Sequence, residues 1–153
     1  MECVLLSELP RDGKLFEDCI KKLSECSPDW PKEKIMQFLD FAHYDCFLFV
    51  NYSGNFGLAG AIAFNPDKQN NIAKVFFIYV LPQFRNCGVG AAMTSEFTVW
   101  LIKNGFKKAQ VGLGKNPAAT ALLKSLNRHK KNLLCDYASR IIINPGTGVV
   151  IVE

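Results

Sequence analysis

Two periods of apolar residues run through this chain. Glu2 to Leu6 is a short extended stretch that predicts a first strand, and beyond it Leu15, Cys19, Ile20 and Leu23 recur three and four apart, the spacing of one buried helix face. Ser27 to Pro31 breaks that helix. A second helix is predicted to start at Pro31, whose fixed φ suits a first helical position, with Ile35, Phe38, Leu39 and Ala42 on one stripe and an end near Tyr44.

The period then shortens. Cys46 to Asn51 and Phe56 to Phe64 predict an antiparallel hairpin around the turn formers Ser53, Gly54 and Asn55. A further turn over Asn65 to Asn71 leads into Ile72 to Val80, which is almost continuously apolar, as in a central strand covered on both faces. Gly88 to Asn104 returns to helical spacing, with Met93, Phe97, Trp100 and Leu101 on one face and Gly105 at the place of a left-handed C-terminal cap. A strand over Lys108 to Leu113 follows. Asn116 and Pro117 then read as an N-cap and a first-turn proline opening a helix with Leu122, Leu123 and Leu126 inward. Leu133 to Glu153 reads as two strands around a turn at Asn144 to Gly148.

Composition narrows the class. With 153 residues, 49% of them hydrophobic, and no repeat or flexible linker, residues 1–153 are expected to form one domain. No apolar run approaches the roughly 20 residues that cross a bilayer, and Met1 to Glu8 lacks the basic start of a signal peptide, so a cytoplasmic protein without a membrane partner is expected. The six cysteines contain no C-x-x-C pair and neither histidine has a partner at ligand spacing, which argues against a metal site. The net charge of +4 is partly gathered between Lys124 and Lys131, but no stacking aromatics interleave that run, and nucleic acid is not the expected partner. Val149 to Val152 is a consecutive apolar run that an exposed edge strand would not tolerate. It is expected to be covered by the domain or by a second copy of the chain, a homodimer through the C-terminal hairpin.

Candidate chemistry sits in one stretch. Tyr79 to Ala91 passes from a buried strand through Pro82 into a turn with Gly88 and Gly90 and then a helix. Such a turn lets backbone approach a ligand closely while the first free N–H groups of the helix point at an anion. A dinucleotide fingerprint would need Gly or Ala at the sixth position, where Met93 stands, and an acid after the next strand. A Walker loop would need a four-residue spacer and a Ser or Thr after Lys115.

Arg85-Asn-Cys-Gly-Val-Gly90, with Val80-Leu-Pro82 before it, resembles the R/Q-x-x-G-x-G/A pyrophosphate loop and V-x-P lead-in of the GNAT (GCN5-related N-acetyltransferase) superfamily. Asn116 and Ala119 are similar to the N-x-x-A start of that family's last helix. The resemblance implies an α/β (α+β) fold with a mixed, mostly antiparallel central sheet flanked by helices. It also implies acetyl-CoA as cosubstrate, without a metal, and an amine as acceptor. Backbone groups of Tyr79 and Val80 would pair with the pantetheine arm. The N–H groups of Arg85, Asn86, Cys87, Gly88, Val89, Gly90 and Ala91 would cradle the diphosphate, and Asn116 would complete the coenzyme site. The Val80 N–H would polarise the thioester carbonyl.

The usual side-chain catalysts are missing. Lys74 stands where many members place a glutamate base, and Leu123 where many place a tyrosine acid. Tyr137 is the substitute candidate for the acid, with Cys135 behind it. Cys87 lies beside Arg85 and a helix N-terminus, although its amide rather than its sulfur would face the phosphates. The acceptor walls would be Trp30, Phe38, Phe41, His43, Tyr44 and Asp45. Two rival readings stand beside the transferase: an acyl-CoA-binding sensor or structural subunit without turnover, motivated by Lys74 and Leu123, and a nucleic-acid-associated adaptor using Lys124 to Lys131.

Overall fold

The computed structural model describes residues 2–26, 31–40, 44–51, 57–114 and 117–153. Seven strands form one sheet in the order β1-β2-β3-β4-β5-β7-β6, with β1 at Glu2–Leu5, β2 at Asp45–Asn51, β3 at Gly57–Asp67, β4 at Ile72–Val80, β5 at Lys108–Val111, β6 at Ile141–Asn144 and β7 at Val149–Val152. Among the described residues only β4 and β5 run parallel. That pairing needs a crossover, and α3, Val89–Lys103, supplies it. The helices α1, Lys14–Cys26, and α2, Lys32–Asp40, cover one face. The opposite face carries α3 with α4, Pro117–Arg128, and α5, Lys130–Leu134.

The apolar spacing explains both layers. Cys19, Ile20 and Leu23 of α1 bury with Ile35 and Leu39 of α2 against Cys46, Leu48, Ala61 and Ala63, while Met93, Phe97 and Leu101 of α3 bury with Leu123 and Leu126 of α4 against Ile62, Val75 and Val111. Alternate residues of β2, β3 and β4 feed the two cores, as the two-residue period of a strand requires. Beyond α3, Gly105 and Phe106 close the helix by donating to the carbonyls of Ile102 and Leu101 at 3.2 and 3.0 Å.

Several boundaries differ from the sequence reading, each for a local reason. Lys32 rather than Pro31 is the first residue of α2, and the Pro31 carbonyl accepts from the N–H groups of Lys34 and Ile35. β3 continues through Asn65, Pro66 and Asp67, so the turn is confined to residues 68–71. Pro66 lies beyond the β2 pairing, which begins at Asp45 opposite Phe64, a position at a strand end where a proline is tolerated. β4 is not covered on both faces along its length: a bulge sets Phe76 out of register, 45% exposed. β5 stops at Val111. Residues 130–140 are helical, α5 followed by a 3-10 turn at Cys135–Arg140, so the first C-terminal strand begins only at Ile141.

The C-terminal hairpin turns as expected, with Gly146 N–H donating to Asn144 Oδ1 and Gly148 N–H to the Asn144 carbonyl. β7 lies between β5 and β6, and Val150 and Val152 are buried by the chain itself. The opposite face of the hairpin stays open at Ile142 and Ile151. Among the described residues no helix is long and apolar enough to cross a membrane, and no group of three or more His, Cys, Asp or Glu side chains could hold a metal ion. Cys3, Cys19, Cys46, Cys87 and Cys135 are free thiols.

Candidate coenzyme-binding cleft

β4 and β5 part company halfway. Their register runs from Ile72↔Lys108 to Val75↔Val111, and the last contact is the Gly112 N–H on the Val75 carbonyl at 3.1 Å. Beyond it β4 continues alone on that side from Phe76 to Val80, about 16 Å of strand at the usual rise. The two strands therefore form a wedge with its vertex at Val75.

The ladder to β3 decides which backbone groups look into the wedge. Leu81 N–H donates to the Ala59 carbonyl at 2.9 Å, and in an antiparallel pair hydrogen-bonded positions alternate, so Tyr79 opposite Ala61 also spends its N–H and C=O on β3. Ile78 and Val80 consequently turn theirs outward. The Val80 carbonyl accepts from Arg85 Nε at 2.8 Å, on the side away from β3, as this alternation requires. Of the two positions expected to offer backbone groups to the pantetheine arm, Val80 faces the gap. The Tyr79 peptide instead pairs with β3, and Ile78 turns its own into the gap. The two-residue ladder period could have revealed this, but only once the register was known.

A cleft of about 590 Å³ fills the wedge, within the usual range of about 300–1,000 Å³ for small-molecule sites. Ile78, Tyr79 and Val80 form its floor, Arg85, Asn86, Gly88, Gly90 and Ala91 its closed end, and Ala118, Ala121 and Leu122 its far wall. The closed end is a strand-to-helix turn in which Asn86 and Gly88 have φ of 60° and 84°. The first bond into α3 runs from the Ala92 N–H to the Gly88 carbonyl at 3.0 Å, which leaves the N–H groups of Val89, Gly90 and Ala91 without an intrahelical acceptor. These donors and the helix dipole favour an anion there.

The two glycines serve different needs. A Cβ on Gly88 would meet no protein atom within 4 Å, so the space beside it is open. A Cβ on Gly90 would come within 2.7 Å of Leu122 Cδ2, and this position lets α3 approach α4. Arg85 braces the turn from outside, its guanidinium 5.2 Å from the Tyr79 ring centre. Cys87 turns its thiol back to donate to the Phe84 carbonyl at 2.9 Å.

The family model for GNAT acetyltransferases matches residues 16–127, from α1 to the end of α4. The chain belongs to the GNAT acetyltransferase family. Solved GNAT structures share its fold. Tetrahymena GCN5 is 18% identical with a TM-score of 0.67, covering 100% of this chain and 97% of its own. A spermidine N-acetyltransferase from Vibrio cholerae in complex with CoA and spermine is 12% identical with a TM-score of 0.57, covering 80% and 78%. A probable acetyltransferase is 15% identical with a TM-score of 0.62, covering 82% and 88%. No curated protein matches the chain.

In this GNAT chain the remaining candidates scatter. Asn116 lies outside the described residues, as do Trp30, Phe41, His43 and the side chain of Phe38. Leu123 is 3% exposed and points into the core, whereas the neighbouring Leu122, expected inward, is half-buried on the cleft wall. Tyr137 sits on the 3-10 turn rather than on a strand and packs against the core without lining the cleft. Asp45 is spoken for: its carboxylate accepts from the N–H groups of Ser7 and Cys46 and from Ser7 Oγ. Tyr44 is buried, accepts from the Cys46 thiol at 3.1 Å and stacks on Phe76 with ring centres 6.3 Å apart. Burial pushes both the Tyr44 phenol and the Cys46 thiol well above their ordinary ranges, so both stay protonated. Of the Lys124 to Lys131 run, Lys130 donates from Nζ to the Ile141 carbonyl at 3.1 Å and ties α5 to β6.

Proposed function

We propose that this chain is an acetyl-CoA-dependent N-acetyltransferase, one domain over residues 1–153, that passes an acetyl group to a primary amine by direct attack. The observation that carries the reading is the pair of outward-facing peptides at Ile78 and Val80, in line with the open N-terminus of α3. The N–H groups of Val89, Gly90 and Ala91 would bind the diphosphate, with Arg85 and Asn86 beside them at the closed end and the peptides of Cys87 and Gly88 shaping the turn. From that anchor the Val80 peptide would hold the pantetheine arm as an added strand, with Tyr79 between the two outward-facing peptides. The thioester lies at the far end of that arm, toward the vertex, so the Ile78 N–H is placed better than that of Val80 to polarise its carbonyl and hold the oxyanion.

The amine nitrogen then forms the new C–N bond, the C–S bond breaks, the electron pair leaves on sulfur, and the proton that the nitrogen sheds passes to solvent or to the departing thiolate. A thiol with pKa near 8.5 leaves as thiolate at neutral pH without a strong acid, which suits a cleft whose α4 wall is Ala118, Ala121 and Leu122. That same wall supports one second reading, an acyl-CoA-binding sensor without turnover. Acetyl-CoA is expected to raise the melting temperature in proportion to the logarithm of its concentration, with NAD silent. No shift at millimolar acetyl-CoA would overturn both readings, and thiol release with an amine separates them.

A further inference from the structure

We infer that the acceptor carries an anionic group and an apolar group beside its amine, as a hydrophobic α-amino acid does, with Lys74 binding the anion and Phe76 the apolar part. The inference rests on the transferase reading. The coenzyme cleft opens among Ile78, Val80, α3 and α4, so an acceptor reaches the wedge from the other face of the sheet, where Phe77 and Tyr79 point.

On that face Lys74 is exposed at the vertex of the wedge, next to the bulge that pushes Phe76 out. Phe76 is backed by the buried Tyr44 ring, a rigid aromatic platform open to solvent. Ile142 and Ile151, the other large apolar side chains exposed among the described residues, lie on the same face of β6 and β7, since their neighbours Ile141, Ile143, Val150 and Val152 are buried on the opposite one. The register surrounds Lys74 with Asn65 on β3 and Gln110 on β5, and Gln110 faces Val149 on β7. Lys108 adds a second cation two residues along β5 from Gln110 on the same face.

The carboxylate nearest in the ladder is Asp67, whose oxygens are held by the N–H and Nδ2 of Asn70. Asp67 lies close enough to feel the Lys74 charge, but the exposed Lys74 stands at the vertex itself, where a polyamine would meet a like charge, an unfavourable contact. An amine accompanied by a carboxylate meets a cation and an apolar shelf.

The test compares L-phenylalanine with L-phenylalaninamide and spermidine at saturating acetyl-CoA, following thiol release. The KM for phenylalanine is expected to lie about three- to tenfold below that of the amide, the range for one charge-assisted contact at a partly exposed site. Lys74→Gln should abolish that difference by raising the KM of the acid alone, with the acetyl-CoA Kd unchanged, and Phe76→Ala should raise both. Equal KM values for acid and amide, a preference for spermidine, or a Lys74→Gln variant that keeps the discrimination would overturn the inference. If no amine releases thiol, the transferase reading fails separately. Calorimetric titration of the same acid and amide into CoA-saturated protein then still reads the Lys74 effect.

Discussion

Replacing Gly88 by valine is expected to weaken acetyl-CoA binding by at least about a hundredfold while the chain still folds. The new side chain would stand in the open space beside Gly88, at the mouth of the turn where the N–H groups of Val89, Gly90 and Ala91 lack acceptors. Losing two charge-assisted hydrogen bonds of about 1.5–3 kcal/mol each corresponds to that factor or more. The fold meets no clash, because no protein atom lies within 4 Å of the added Cβ. It meets only the strain of a β-branched residue at φ 84°, about 1–3 kcal/mol. Calorimetry with acetyl-CoA and a thermal melt on the same variant separate the two effects. An unchanged Kd would mean that the turn joins β4 to α3 and does nothing more.

Turnover should climb about tenfold per pH unit below the pKa of the acceptor amine and then level off. The physical reason is that among the described residues the cleft lining contains no carboxylate or histidine to act as base: it is apolar apart from Tyr79, Arg85, Asn86 and the peptide groups. Only the neutral amine has the lone pair that attacks, so the solvent has to supply it. Lowering the pH removes that form one proton at a time, and the rate falls with it. Tyr137→Phe should cost less than the roughly hundredfold expected for a true general acid, because Tyr137 packs against the core outside the cleft lining. Steady-state rates from pH 6 to 10 with one amine check both. A bell-shaped profile with a limb that disappears in Tyr137→Phe would reinstate that residue as the acid.

Much of this protein was legible in the chain. Apolar spacing at Leu15, Cys19, Ile20 and Leu23, and again at Met93, Phe97 and Leu101, predicts helices that the structure contains, because one buried stripe is a local property of three- and four-residue neighbours. The turn from Arg85 to Gly90 was legible for a related reason: a strand-to-helix turn draws its N–H groups without intrahelical acceptors from consecutive residues, so local geometry and sequence motif coincide. Pro66 and residues 133–140 misled for the opposite reason. A proline is a breaker only where its N–H would have had a partner, and short helical turns such as 135–140 hold their shape by packing on neighbours remote in sequence.

What only the tertiary structure decided was everything that depends on the register between strands. Nothing in the residues from Ile72 to Val80 says which peptides point toward β3 and which toward the departing β5. That Ile78 rather than Tyr79 turns its peptide outward follows from a single hydrogen bond, Leu81 to Ala59, propagated along an alternating ladder. The bulge at Phe76, the burial of Leu123 beside the cleft-facing Leu122, and the position of Lys74 at the vertex of the wedge have the same origin. Local sequence sets the period of each element, whereas register and facing are set by which surfaces bury against one another, a choice made by the whole chain at once.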